Sequence, residues 1–193
     1  MPRVKTLSDN DLLDQALEVL LEKGPGGFTL PAVGRTVGLS PSTLIQRFGS
    51  KRGLLDRVLA RSTAHLETAL QDRPQTGAPR RDLVDWVVSL SSPQRTPAHV
   101  AGNLTLLKED ITDPARRVAA QHHTGLMREG IAAYLAAIGS PSPATHARMF
   151  EAHWTGLVLQ WAMVETDQSI DAWLEDGLGS LLTLLVPPAP KPQ

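Results

Sequence analysis

"LSPSTLIQRFGSKRGL", residues Leu39 to Leu54, decides how the rest of the chain is read. Ser40-Pro41 is a helix-start signal: a capping hydroxyl, then a proline at the first helical position. Gly49-Ser50 stops that helix, and Ser50 can cap the next. The helix between has about two turns, too few to be stable alone in water. At about 100° per residue, Leu44 and Phe48 fall together on one side. Ser42 and Gln46 fall opposite, with Thr43 and Arg47 between. One side is therefore apolar, and the other presents hydroxyl, amide and guanidinium groups. Those are the groups that reach base edges and phosphates in a major groove. The backbone N–H groups at the Ser40-Pro41 start point outward, where a phosphate is favoured.

Val33, Val37, Leu39, Leu44 and Phe48 make the buried set of two short helices joined by the Gly38-Leu39-Ser40 turn. That is a helix-turn-helix pattern. Thr29 can cap the first of the two, with Pro31 tolerated in its opening turn. Upstream, Ser8 caps a helix with Asp9 and Asp11 in its first turn and an apolar stripe of Leu13, Ala16, Leu17, Leu20 and Leu21. "KGPGG", from Lys23, ends it. Downstream, a helix capped by Ser50 carries Leu54, Leu55, Val58, Leu59, Ser62 and Leu66 inward.

The stretch from about residue 8 to 60 resembles the tetracycline-repressor (TetR) family of bacterial transcription regulators. The family's pattern falls on Thr29, Val33-Gly34, Val37-Gly38-Leu39-Ser40, Thr43-Leu44-Ile45, Phe48, Lys51 and Leu54. The resemblance implies a symmetric homodimer of helical subunits. It also implies binding to a double-stranded DNA operator by the first three helices, and a small-molecule effector pocket in the carboxy-terminal domain. It puts DNA contacts at Thr29, Ser42, Thr43, Gln46, Arg47 and Lys51, to which the outward N–H groups at Ser40 and the side chain of Ile45 are added. Two residues depart from the pattern. Gly34 stands where the family usually has Ala, which is expected to loosen the second helix. Ile45 stands where it usually has Tyr, so a phosphate contact is lost and a thymine-methyl contact becomes available.

The whole chain bounds these expectations. Its 193 residues are 41% hydrophobic and 20% charged, an ordinary soluble composition. It has no cysteine, which excludes disulfides, thiolate metal sites and a cysteine nucleophile. The amino terminus has acids inside every apolar run and reads as neither signal peptide nor membrane span, so a cytoplasmic location is expected. Residues 1–62 carry a net charge of +3 and residues 63–193 a net charge of −4, within a total of −1. A basic first part hints at an anionic partner. "DRPQTGAP", Asp72 to Pro79, is the one plausible mid-chain linker. Helical stretches are expected near 80–92, 97–110, 113–139, 143–167 and 169–186, with no strand pattern. The fold class is all-α. A helix-turn-helix domain with its connecting fourth helix should occupy 1–71, and a helical ligand-binding and dimerisation domain 80–186. A proline-rich, disordered tail should follow at 187–193.

The carboxy-terminal part carries no motif that transfers residue by residue. Its helix near 143–167 shows a bulky seam of Phe150, His153, Leu157, Trp161 and Val164. A slimmer seam of Ala152, Gly156, Leu159 and Met163 lies on another side. The last helix repeats the slim spacing at Trp173, Gly177, Ser180 and Leu184. A helix with two apolar faces must bury both. The slim faces either form a four-helix subunit interface or make these helices central to their own domain. Trp86, Met127, Phe150, Trp154 and Leu157, with His123 and His153 as polar members, could line an apolar effector pocket. His146 and His153 are seven apart, about 10 Å along a helix, too far to ligate one ion. No metal or other cofactor is expected, and the histidines read as satisfied core or pocket residues.

No phosphate loop, nucleophile elbow, zinc-protease motif or paired-carboxylate motif occurs, so the chain is not expected to be an enzyme. The acidic run from Lys108 to Asp113 reads as a helix end. Two functions stay open. One is a ligand-responsive repressor. The other is a helical protein whose helix-turn-helix no longer binds DNA and which acts through a ligand or partner.

Overall fold

The computed structural model describes residues 7–91 and 96–187. Among the described residues there are nine α-helices and no strand. They are α1 (Asp9–Gly27), α2 (Leu30–Val37), α3 (Pro41–Phe48), α4 (Lys51–Gln71), α5 (Pro79–Ser91), α6 (Pro97–Thr112), α7 (Pro114–Ala137), α8 (Pro143–Met163) and α9 (Ile170–Leu185). The chain is all-α. The tail expected at 187–193 lies, past Pro187, outside the described residues.

Local chemistry sets the helix starts. Ser8, Thr29, Ser40, Ser50, Thr96, Asp113 and Ser169 each cap a helix by accepting a backbone N–H of its first turn. Two ends differ from the sequence reading. Gly24 breaks α1 at φ 64°, a left-handed conformation suited to glycine, and one more turn then runs through Pro25 to Gly27. α8 ends at Met163 rather than near 167, because the Trp161 indole donates to Gln168 O at 3.0 Å and folds the connection back. Gly34 also behaves differently from expectation. A Cβ there would stand 2.5 Å from Leu39 O, so the glycine lets the turn close tightly on α2.

Two apolar cores result. Leu12, Ala16, Phe28, Val33, Leu44, Leu54 and Val58 belong to the amino-terminal core. Leu83, Trp86, Ile131, Phe150, Leu174 and Leu178 belong to the carboxy-terminal one. α4 feeds both, with Leu54, Leu55 and Val58 in the first and Leu66 in the second. α6 also joins the two parts. Its Val100 enters the carboxy-terminal core and Leu106 packs on the amino-terminal one. His99 Nε2 lies 2.6 Å from Glu22 O, and Gly102 sits against the Gly24-Pro25 break.

α1 is clasped to α4 by charge. Arg61 donates from Nε and Nη2 to the two oxygens of Asp14 at 2.6 and 2.8 Å, and His65 Nε2 lies 2.7 Å from Asp14 Oδ1. The Arg61 bonds lower the Asp14 pKa from 3.8 to about 2 against an opposing effect of burial, and His65 adds to the lowering. A carboxyl depressed in the folded state stabilises above its unfolded pKa, and that contribution is lost as pH falls through the folded one. Asp14→Asn should therefore cost about 1 kcal/mol at pH 7, solvent having screened much of the pair. The difference from wild type should shrink between pH 4 and pH 2. Thermal melts at pH 7, 4 and 2.5 check this, and a gap that stays constant with pH would refute it.

Candidate nucleic-acid interface and effector core

α3 has eight residues and one fully buried side chain, Leu44. Burial of one leucine contributes about 1.5–3 kcal/mol, enough to seat a helix with no stability of its own. Seating it there turns the other side outward. Ser42, Ile45, Gln46 and Arg47 are exposed, and Thr43 is half-buried. Ser40 Oγ accepts from Thr43 N at 3.1 Å and lies 2.8 Å from both Ser42 Oγ and Thr43 Oγ1. Three hydroxyls thus cluster at the start of α3 beside its outward N–H groups. Thr29 Oγ1 accepts from Ala32 N at 3.2 Å, which caps α2 and leaves its own proton to donate.

The cations divide into two groups. Lys51 is exposed and has no ion-pair partner among the described residues. Arg47, by contrast, donates to the Asp9 carboxylate and to Leu7 O at the start of α1. Arg47 stands one turn after Thr43 on the same side of α3, and its guanidinium is drawn to the start of α1. Arg52 donates to Asp113, the cap of α7, and that bond, ahead of the Arg116 backbone N–H, lowers the Asp113 pKa. Arg116 is buried, with Nε 3.0 Å from Asp110 Oδ1 and Nη1 2.6 Å from Glu109 Oε2. Arg52, Glu109, Asp113 and Arg116 line an open polar cleft of about 340 Å³ at the α4, α6 and α7 junction. In the sequence the run from Lys108 to Asp113 reads as a helix end, and it is one. Its ionic link to α4 carries no local signal, because Arg52 is 61 residues away from Asp113.

Trp86, Phe150, Trp154 and Leu157 lie in one core, with Met127 packed against it. His123 sits at its margin, Nδ1 3.1 Å from Thr63 Oγ1. Burial holds its imidazole below the usual pKa, and the charge of His122 pushes the same way. His153 is a correction. It is exposed, and the buried seam of α8 runs through Phe150, Trp154, Leu157, Val158 and Trp161 instead. Val164, expected on that seam, lies exposed beyond the helix end.

The slim seam divides between surface and core, and it is corrected at Leu159, Trp173 and Gly177. Ala152 is exposed, and Gly156 is half-buried with nothing within 4 Å of where a Cβ would be. Leu159 packs against the core, while Met163 and Leu184 are 77% and 78% exposed and Ser180 is exposed. Trp173 and Gly177 instead join α9 to α8 within the subunit. Trp173 Nε1 donates to Leu157 O at 3.1 Å, and the Leu157 side chain fills the space a Cβ at 177 would need.

Residues 12–58 match the profile of the tetR family of bacterial regulatory proteins. The helix-turn-helix segment is similar to that of the TetR family. The match spans α1 from Leu12, all of α2 and α3, and α4 to Val58, the elements that build and seat the helix-turn-helix. The whole chain shares the fold of solved TetR-type regulators. A transcriptional regulator from Rhodococcus sp. Rha1 is 21% identical, with 92% of this chain and 96% of that one covered and a TM-score of 0.72. A TetR-family regulator from Streptomyces coelicolor is 15% identical over 91% and 94%, with a TM-score of 0.66. FadR of Thermus thermophilus, a TetR-family repressor in complex with lauroyl-CoA, is 20% identical over 94% and 97%, with a TM-score of 0.52. No curated protein matches the sequence. No helix among the described residues is long and apolar enough to cross a membrane.

Proposed function

We propose that the protein is a cytoplasmic repressor that binds a palindromic operator as a homodimer and leaves it when a small molecule enters the carboxy-terminal core. The observation that carries this is the outward face of α3. Its hydroxyl cluster, Ile45 and Gln46 stand exposed on the buried anchor Leu44. Ser42, Thr43, Ile45 and Gln46 meet base edges, while Thr29, the N–H groups at Ser40 and Lys51 meet phosphates. Arg47 reaches DNA only by exchanging Asp9 for a phosphate. The subunits meet through the unobstructed stripe of Ala152, Gly156 and Met163 on α8 with Ser180 and Leu184 on α9. FadR supports the effector reading, since that TetR-family repressor holds a ligand. An effector acts by favouring the arrangement whose two recognition helices cannot span both half-sites. Two links carry its effect toward α3, namely Arg52 on Asp113 and α6 on the α1 break.

The second reading, a helix-turn-helix that no longer binds DNA, is favoured by the neutralisation of Arg47 on Asp9. A gel shift with the DNA upstream of the protein's own coding region separates the two. The repressor reading requires a complex that survives excess unrelated duplex. Ile45→Tyr refines the test. With its hydroxyl on a phosphate, the variant should bind every operator about two- to tenfold more tightly, one hydrogen bond's worth, with the same base preference. Loss of affinity, or a changed preference at a T·A pair, would show that Ile45 itself reads the groove.

A further inference from the structure

The chain has four tryptophans. Three give their indole proton to an oxygen of the protein: Trp154 to Ser91 Oγ at 2.7 Å, Trp161 to Gln168 O at 3.0 Å and Trp173 to Leu157 O at 3.1 Å. Trp86 does not. It is 4% exposed, and its Nε1 is buried without a partner. Native folds rarely leave a buried donor in that state without a use for it.

The surroundings hold the Trp86 ring in place. Its six-membered edge lies over Gly130, where a Cβ would stand 2.4 Å from Cη2 and 2.5 Å from a Leu70 methyl. Tyr134 packs beside it, ring centroids 5.9 Å apart, and gives its own hydroxyl proton to Pro74 O at 2.7 Å. The indole therefore cannot turn to seek an acceptor, and the acceptor must come to it. Packing loosens along α7 in one direction. Met127 and His123, about one and two turns before Gly130 on the same side, are half-buried, whereas Gly130, Ile131 and Tyr134 are buried. The charged side chains buried among the described residues are Asp82, which is hydrogen-bonded, and Arg116, which keeps Nη2 unpaired but lies in the separate cleft with Arg52, Glu109 and Asp113. Asp82 accepts from Thr76 N and Oγ1, and Arg116 is held by Glu109 and Asp110. The Arg73 guanidinium lies over the Tyr134 ring, 5.9 Å from its centroid, but is committed to Leu70 O, and the Asp82 carboxylate also acts on Tyr134, so an ionised ligand group buried beside Trp86 would lack a free counter-charge.

We infer that the effector is an uncharged, mainly apolar molecule carrying a hydrogen-bond acceptor, such as a ketone, ester or lactone oxygen, and that Trp86 Nε1 donates to that atom. This rests on the ligand-responsive reading above and names the chemistry of its ligand. Trp86 is then the specificity determinant, and the apolar walls supply most of the affinity.

The test uses matched probes on the full-length chain without DNA. 9-Fluorenone against fluorene is a flat pair, 2-undecanone against undecane a flexible one, and fluorene-9-carboxylate adds a charge. Binding is read by calorimetry. At least one ketone should bind about three- to tenfold more tightly than its hydrocarbon, and the carboxylate most weakly. In Trp86→Phe the ketone should lose that preference while the hydrocarbon changes less. Lost ring volume affects both probes alike, so the double comparison isolates the N–H. If Trp86→Phe does not fold, indole ¹⁵N–H spectra of the wild type replace it. One of the four signals should then move with the ketone and stay with the hydrocarbon. Failure of both ketones to bind, equal affinity within both pairs, a preference that survives Trp86→Phe, or strongest binding by the carboxylate would overturn the inference. A chain that binds ketones through Trp86 but binds no DNA would remove the regulatory reading alone. A chain that binds operator but no ketone would remove only this one.

Discussion

Gly156→Glu is expected to convert the proposed dimer to a monomer that keeps its helical signal and loses operator affinity by about a hundredfold or more. Within one subunit the substitution meets no obstacle, since nothing lies within 4 Å of the position a Cβ would take. Replacing glycine inside a helix even gains up to about 1 kcal/mol of helix propensity. Any large loss must therefore arise outside the subunit. In the proposed interface, the introduced carboxylate of each protomer would stand near its symmetry mate between apolar neighbours, Met163 and Leu184 among them. An uncompensated charge buried there costs several kcal/mol, comparable with the stability of a modest dimer. A monomer offers the operator one two-turn helix and gives up the second half-site. Light scattering and circular dichroism on the same sample decide the matter. A variant that remains dimeric would place the subunit contact elsewhere, and one that unfolds would show that the α8 face is internal.

Gln46→Ala and Lys51→Ala should both weaken operator binding, and in different ways. Gln46 is exposed on the outward face of α3, where an amide can pair with an adenine edge. Its loss should cost about 1–3 kcal/mol and relax the preference at one position of each half-site. Lys51 opens α4 beside the same face. Its loss should weaken all duplexes alike and lower the slope of affinity against salt by about 1 per protomer. Anisotropy titrations over a salt series with matched and single-mismatch operators separate these effects. Unchanged binding in both variants would remove α3 from the DNA interface.

The helix-turn-helix was legible because its signals are local. Caps at Thr29, Ser40 and Ser50, the left-handed Gly38 and the period that buries Val33, Val37 and Leu44 all act within four residues. What stayed hidden depends on distant partners. Nothing near Arg47 announces Asp9, 38 residues earlier, and nothing near Thr63 announces His123, 60 residues later. Helix faces in the second half were legible only to within about one residue. Sequence spacing puts the α8 seam through His153 and Val164, but the buried line runs through Trp154 and Val158, one residue round from His153. Small residues were the most misleading. Gly156 and Gly177 occupy matching places in the slim pattern, yet one faces open space and the other receives Leu157. Composition cannot tell a gap left for a partner from a gap filled within the subunit.

The most direct test of the central claim is selection of DNA from a random duplex pool by the full-length protein. The account predicts enrichment of a palindrome whose half-site centres lie about one helical turn apart, or one further turn. That sequence should bind at least about a thousandfold more tightly than its scrambled counterpart, with two protomers or a multiple of two per duplex. A pool that emerges without a shared sequence, or affinity that tracks salt alone and ignores sequence, would contradict it.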